Sequence, residues 1–480
     1  MPDDDLSQRM PVPFGVFAET GEFPSSFNPA SVQDLRKQGL GGNVPKEVIK
    51  AKASSQESHF GMLGGELSAN DLQQSGWAVL FAPGVTQEIK DQLKPLLDYR
   101  RNQVGDDRLF KVFDGPTGHQ SGQTATDWLF SINQVTLNVV DPEQGVPFYV
   151  MIVGSPDEIP FEFQYELDLY WGVGRLWLET PDDFARYAHS VIEYETMPTV
   201  PSSKQMALFA TNHESDNGAS RALCESMANP LVNSSFGQKQ HFALRPFIGE
   251  TATKDNLNDI WNGTIPGGPP ALLFTGSHGL LRKPDSQFLA ATQGAIVCQE
   301  WPGGPPKPDH YFAARDISPN AKVHGMVHFL CACYGGGWPE FDTYGSNAQI
   351  SPAPMMSHLP QALLSHPNGS ALAVLGHIDR SWTYSFQGDA HQPQSQAFRD
   401  VIVKIMSGYR LGNATDQFNF RWAVLSAGLA DILAKMQLGI NEKTPEQLAN
   451  MWVARDDARN YILHGDPAVR LRVTDMPALS

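Results

Sequence analysis

The chain has 480 residues, 41% apolar and 18% charged, the composition of a folded globular protein with room for two or three cores. Thirty-five basic against 52 acidic residues give a formal charge of -17, which opposes nonspecific attraction to nucleic-acid phosphates or anionic membranes. No nucleic-acid or membrane partner is expected, and basic or neutral polypeptides fit better.

Residues 1–70 are rich in Pro, Gly, Ser and polar residues without periodicity, and read either as an irregular arm packed on the surface or as a regulatory segment. The opening "MPDDDLSQRMPVPFGVF" is acidic and broken by Pro11, Pro13 and Gly15, so it lacks the basic and continuous apolar regions of a signal peptide. No run of about 18 apolar residues occurs, so no membrane-spanning helix is expected. Four cysteines, Cys224, Cys298, Cys331 and Cys333, make no disulfide framework in so long a chain. The expected location is a reducing one, the cytoplasm.

From residue 71 buried strands alternate with amphipathic helices. "WAVLFA" (77–82) and "PFYVMIVG" (147–154) predict strands, and "TQEIKDQLKPLLDYRRNQ" (86–103) predicts a helix containing a proline. The segment 180–195 opens with Thr180, Pro181 and two acids, the signature of a helix start, and closes a first unit over 71–197. After the linker "TMPTVPSSKQ" the alternation restarts for a second unit over 204–475. Its strands are predicted at 206–211, 241–247, 271–279, 322–333 and 370–378, with helices near 218–230, 253–262, 395–407 and 416–437. The fold class is α/β, two tandem subdomains each with a mainly parallel sheet flanked by helices.

In such sheets chemistry gathers at the carboxyl ends of the strands. "ALLFTGSHG" ends on His278 and Gly279, and "MVHFLCACYGGG" ends on Cys333. A thiol is a nucleophile once deprotonated, and an imidazole can take its proton and return it to a leaving amine. The backbone N–H groups of Gly279 and Cys333 are the expected oxyanion donors, glycine allowing close approach of a substrate backbone. The bland alternatives are a buried structural thiol at Cys333 and hydrogen-bonded core roles for His278, His324 and His328. Cys331 is read as packing, and Asp456 and Asp457 as a solvated helix face. The Cys-x-Cys spacing fits zinc poorly, and no Lys-Ser/Thr follows the glycines to make a phosphate loop, so no cofactor or metal is expected.

The blocks "FTGSHG" and "FLCACYGG" resemble the His-Gly and Ala-Cys signatures of caspase-like cysteine peptidases. "YVMIVGSPDEIP", "LDLYWGVGRLWLETPDDFARYAHSVIEYE", "LAVLGHIDRSW" and "YILHGDPAVRLR" extend the resemblance to the gingipain-type peptidases, over roughly residues 147–473. The resemblance implies a cysteine endopeptidase with a Cys333–His278 dyad, acting on protein or peptide substrates. It also implies Glu158 as a group orienting His278, and Asp168 with Trp382 as an S1 pocket for arginine or, less well, lysine. Gingipain-type enzymes are exported and usually carry an immunoglobulin-like domain after the closing strand. Here no export signal is read and the chain stops at Ser480, and an intracellular enzyme is expected, which needs restraint by an activating partner, a ligand or self-cleavage; resemblance to prokaryotic caspase-like proteins implies regulated proteolysis, signalling or defence. The competing readings are a catalytically silent interaction module of the same fold and a small-molecule-binding α/β protein.

Overall fold

The computed structural model describes residues 12–24, 63–134, 139–234, 236–344, 348–387, 393–438, 440 and 443–477. Most of residues 1–70 therefore lie outside the described residues, but 12–24 do not.

The strands of the first unit are β2 (Trp77–Phe81), β3 (Phe110–Phe113), β4 (Tyr149–Val153) and β5 (Gly172–Leu176), preceded by the short β1 (Gly15–Phe17) of the arm. β2 and β4 are buried at every position, as a two-sided sheet requires, which is why they read as unbroken apolar runs. Helices α1 (Gln87–Val104), α2 (Phe161–Leu167) and α3 (Pro181–Thr196) connect them. Thr86 caps α1 through the Ile89 N–H, and Gly105 ends it in the left-handed region. A reciprocal Thr180–Asp183 box starts α3.

The second unit supplies β6 (Ser203–Ala210), β7 (Ala243–Ile248), β8 (Pro270–Gly276), β9 (Gly279–Leu281), β10 (Ile296–Val297), β11 (Tyr311–Phe312), β12 (Val327–Cys331), β13 (Gly337–Trp338), β14 (Met355–Met356), β15 (Ala373–His377) and β16 (Tyr461–Gly465). Its longer helices are α4 (Lys254–Asn262), α5 (Gln396–Met406), α6 (Asp416–Gln437) and α7 (Pro445–Arg459).

The two runs form one ten-stranded sheet rather than two sheets, in the order β3-β2-β4-β5-β16-β15-β12-β8-β6-β7. β2, β3, β4 and β5 pair in parallel, as do β6, β7, β8, β12 and β15. The joint is β16, antiparallel to β15 and bonded to β5 beside His464 and Arg175. Beyond β16, buried Asp466 receives the Trp77 Nε1–H at 3.0 Å and Arg100 at 2.7 Å, while Arg100 also grips Glu195 at 2.7 Å. The closing segment thus locks α1, α3 and β2 to the joint. A second, four-stranded sheet β1-β9-β10-β11 covers the ends of β8 and β12, with β1 parallel to β9.

Candidate active site

β8 and β12 are neighbours in register, Cys331 opposite Gly276, so His278 and Cys333 leave adjacent strands at the same edge. The chain turns sharply after the thiol. Tyr334 has φ 55°, in the left-handed region that non-glycine residues rarely adopt, and its N–H bonds the Asp379 carbonyl at 2.7 Å. The glycines that follow permit close passage: a Cβ on Gly336 would lie 2.7 Å from His464 Nε2, and one on Gly337 2.7 Å from Ile378 and 2.8 Å from the Phe161 ring. This explains "YGGG" by packing, without a phosphate.

Cys333 is 1% exposed, and its Sγ accepts the Ser381 N–H at 3.2 Å. Burial pushes this thiol well above its usual pKa, so it rests as the neutral SH. Cys331 lies deeper, 3.7 Å from the Tyr461 hydroxyl, pushed up to about 12 by burial. His278 is fully buried among Phe23, His213, Trp301 and Phe14, with ring centroids 5.4, 6.0, 5.8 and 6.1 Å away. Its Nε2 lies 3.0 Å from Asp216 Oδ2, and its Nδ1 has no hydrogen-bond partner among the described residues. With Nε2–H donated to the carboxylate, Nδ1 carries the lone pair that can move a proton.

Asp216 sits in the loop after β6, the strand beside β8. Its carboxylate also accepts the Gly218 N–H at 2.7 Å and the Ser220 N–H at 3.0 Å. Although burial opposes the charge, the hydrogen bond and charge of His278 and the bonds from Ser220 outweigh it and hold Asp216 at about 2.

The arm lies directly on these groups. The Phe14 carbonyl oxygen accepts the Cys333 N–H and the Gly279 N–H, both at 2.9 Å. These are the two N–H groups expected to stabilise an oxyanion, and they converge on one peptide carbonyl. Upstream, Phe14 N–H donates to the Ser381 carbonyl at 2.9 Å, and Thr383 N–H donates to the Val12 carbonyl at 3.2 Å. Pro13 pairs antiparallel with Trp382, and Asn217 Nδ2 donates to the Pro13 carbonyl at 3.1 Å. Downstream, Gly15, Val16 and Phe17 pair with Gly279, Leu280 and Leu281. Residues 12–17 are therefore an added strand running across the thiol, and the fully buried Phe14 side chain contributes about 1.5–3 kcal/mol to holding it there.

Three expected residues are placed elsewhere. Glu158 follows β4 and accepts the Gly84 N–H at 2.6 Å, in the loop after β2. β4 is five strand positions from β8, about 24 Å, so Asp216 and not Glu158 is the acid at His278. Asp168 ends α2, which carries the chain from the carboxyl end of β4 back to the start of β5, and its carboxylate accepts the Val173 N–H at 3.0 Å. β5 stands three strand positions from β12, about 14 Å, so Asp168 is held by its own strand rather than at the base of an S1 pocket beside Cys333. Trp382 lends its backbone to the arm, but its indole packs with Tyr344 and Tyr384, and Arg380 already stands 5.4 Å over the ring. A further correction concerns Asp456 and Asp457, which are buried rather than solvated: Asp456 pairs with Arg455, and Asp457 accepts the Trp382 N–H at 2.9 Å and the Ser385 hydroxyl at 2.6 Å, fixing the loop that faces the thiol. His328 bonds Thr275 and His324 bonds the Ser190 carbonyl, both core roles. Among the described residues no cluster of three His, Cys, Asp or Glu could hold a metal, and no helix is long and apolar enough to cross a membrane.

Comparison with protein families matches residues 85–472 to the model of Peptidase family C25. Comparison with curated proteins returns no match. Among solved structures, the Arg-specific cysteine proteinase gingipain R shares 14% identity at a TM-score of 0.44, over 84% of this chain and 79% of that one. The complex of RgpB pro- and mature domains from Porphyromonas gingivalis gives 14% and 0.43, over 83% and 80%. The Saccharomyces cerevisiae separase–securin complex gives 11% and 0.29, over 67% of this chain and 15% of that one. At these scores the likenesses add nothing to the chemistry.

Proposed function

We propose, from the premise that this chain belongs to peptidase family C25 and is a cysteine peptidase, that Cys333 is its nucleophile and His278 its proton carrier. In this mechanism His278 Nδ1 takes the thiol proton and Sγ attacks the scissile carbonyl carbon. The carbonyl oxygen becomes an oxyanion held by the Gly279 and Cys333 N–H groups. Imidazolium then protonates the departing amine, leaving a thioester. A water, deprotonated by His278, cleaves the thioester and restores the thiol. Asp216 orients the ring and stabilises the imidazolium, a positioning role.

The observation that carries this reading is the convergence of two backbone donors on a peptide carbonyl beside a thiol and an imidazole with an open nitrogen. The expected preference for Arg or Lys rested on Asp168 and Trp382 and has no support from where these two lie. A reducing location such as the cytosol is favoured by four cysteines that are all free thiols, and a covered site suits an enzyme of regulated proteolysis, signalling or defence. The silent interaction module is the second reading, favoured by the covered site. A mixed peptide library incubated with the Phe14→Ala chain, with and without Cys333→Ala, separates them: hydrolysis lost with Cys333 supports the peptidase assignment, and no hydrolysis by either supports the silent module.

A further inference from the structure

The arm presents one peptide bond, Phe14–Gly15, to the thiol, with its carbonyl on both backbone donors and its flanks paired as strands on either side. Such backbone pairing would hold any sequence, so selectivity must come from the side chains at the two central positions. The Phe14 ring is fully buried, packed edge-on against Phe386 at 5.4 Å and beside His278 at 6.1 Å. An arginine in its place would carry a guanidinium into apolar surroundings, while the nearby acids are engaged, Asp216 by His278 and Asp379 by Thr343 and the Arg380 N–H. On the other side of the bond, a Cβ on Gly15 would stand 2.5 Å from Leu281 Cδ1, 3.1 Å from Cys333 Cβ and 3.2 Å from Cys333 Sγ. The leucine methyl can move, but the cysteine is fixed by its strand and its turn.

We propose that this site selects a large apolar, above all aromatic, residue at P1 followed by glycine at P1′, and that residues 12–17 occupy it as an internal copy of such a substrate. The inference rests on the peptidase reading for the names of the subsites. The binding preference itself needs only the pocket, and it sets the enzyme apart from one that cuts after basic residues.

The test is a binding measurement on the full chain carrying Cys333→Ala, so that no peptide is consumed, and Phe14→Ala to loosen the arm. Fluorescein-labelled Val-Pro-Phe-Gly-Val-Phe is compared by anisotropy with the same peptide bearing Arg for the first Phe, and with one bearing Val for Gly. The Phe-Gly peptide is expected to bind at least tenfold more tightly than either, and at least tenfold more weakly to the chain with Cys333→Ala alone, where the arm is intact. Equal affinities, or tighter binding of the Arg peptide, overturn the proposal. Gly15→Val, which forces the arm off through the Leu281 and Cys333 contacts, gives a second opened chain in which the same ranking is required should Phe14→Ala fail to fold. Hydrolysis is read separately on chains retaining Cys333: its absence together with the expected binding ranking counts against the peptidase reading and leaves the pocket assignment standing.

Discussion

In the first half of the sheet the polar groups at the strand ends meet one another. Glu158 accepts from Gly84, and Arg175 bonds Gln164, Gly154 and Pro160. Arg100 lies between Asp466 and Glu195. In the second half, β8 and β12 end in groups whose partners come from a distant segment or are missing among the described residues: the Gly279 and Cys333 N–H groups reach the arm's carbonyl, and His278 Nδ1 reaches none there. Both halves repeat the same parallel strand and helix unit, and among the described residues it is in the second that strand-end N–H groups bond the peptide of a distant segment. Function is therefore located by which polar groups remain open once folding is satisfied, not by the presence of acids or bases at strand ends.

The largest effect that would break this contrast is at the thiol. In the Phe14→Ala chain, Cys333→Ala should lower peptide hydrolysis by on the order of 10⁴-fold or more with little change in melting temperature, while Cys331→Ala, packed against Tyr461, keeps substantial activity. Equal losses in steady-state assays of the two variants would remove the distinction between them.

In the first half the effect should fall on stability instead. Asp466→Ala leaves buried Arg100 with Glu195 as its one acidic partner among the described residues and strands the Trp77 N–H, so urea unfolding should show a loss of about 3–5 kcal/mol. Activity per folded molecule should be retained.

The two acids sharpen the comparison further. In the Phe14→Ala chain, Asp216→Asn should reduce turnover by roughly 10²-fold, because the imidazolium loses its counter-charge, whereas Glu158→Gln should remain within about twofold of the Phe14→Ala chain alone. A reversed order in the two kcat values would restore Glu158 as the orienting group.

The smallest effect concerns pH. Asp216 is held at about 2 in the folded protein against an ordinary value of 3.8, so its contribution is present above pH 3.8 and is lost as pH falls towards 2. Denaturant titrations across that window should show the parent losing about 2 kcal/mol that Asp216→Asn does not lose.

The residues readable in the sequence were those whose signal is local. Cys333, His278 and Gly279 each stand at the end of a largely apolar run, and the strand-end rule needs nothing more. Asp216 was missed because its role depends on β6 lying beside β8, which chain order alone does not give; the polar "HESDNG" after the strand at 206–211 was the available sign. Glu158 went astray for the same reason, since an acid after a strand reads alike whether that strand is next to the histidine or five positions away; Asp168, which ends a helix, was carried over from the resemblance alone. Asp457 on α7 looked solvated because its helix is polar on most sides, yet it is buried against the 381–385 loop. Residues 12–17 carry no strand periodicity, being interrupted by the proline and glycine that suit them to the positions on either side of Phe14.

The most direct measurement is the alkylation of individual cysteines by iodoacetamide, followed by mass spectrometry on the intact-arm chain and on Phe14→Ala. Cys333 should label before Cys224, Cys298 and Cys331 in the Phe14→Ala chain, and at least tenfold faster there than in the parent. Preferential labelling of another cysteine, or the same Cys333 rate in both chains, would contradict an arm seated on a catalytic thiol.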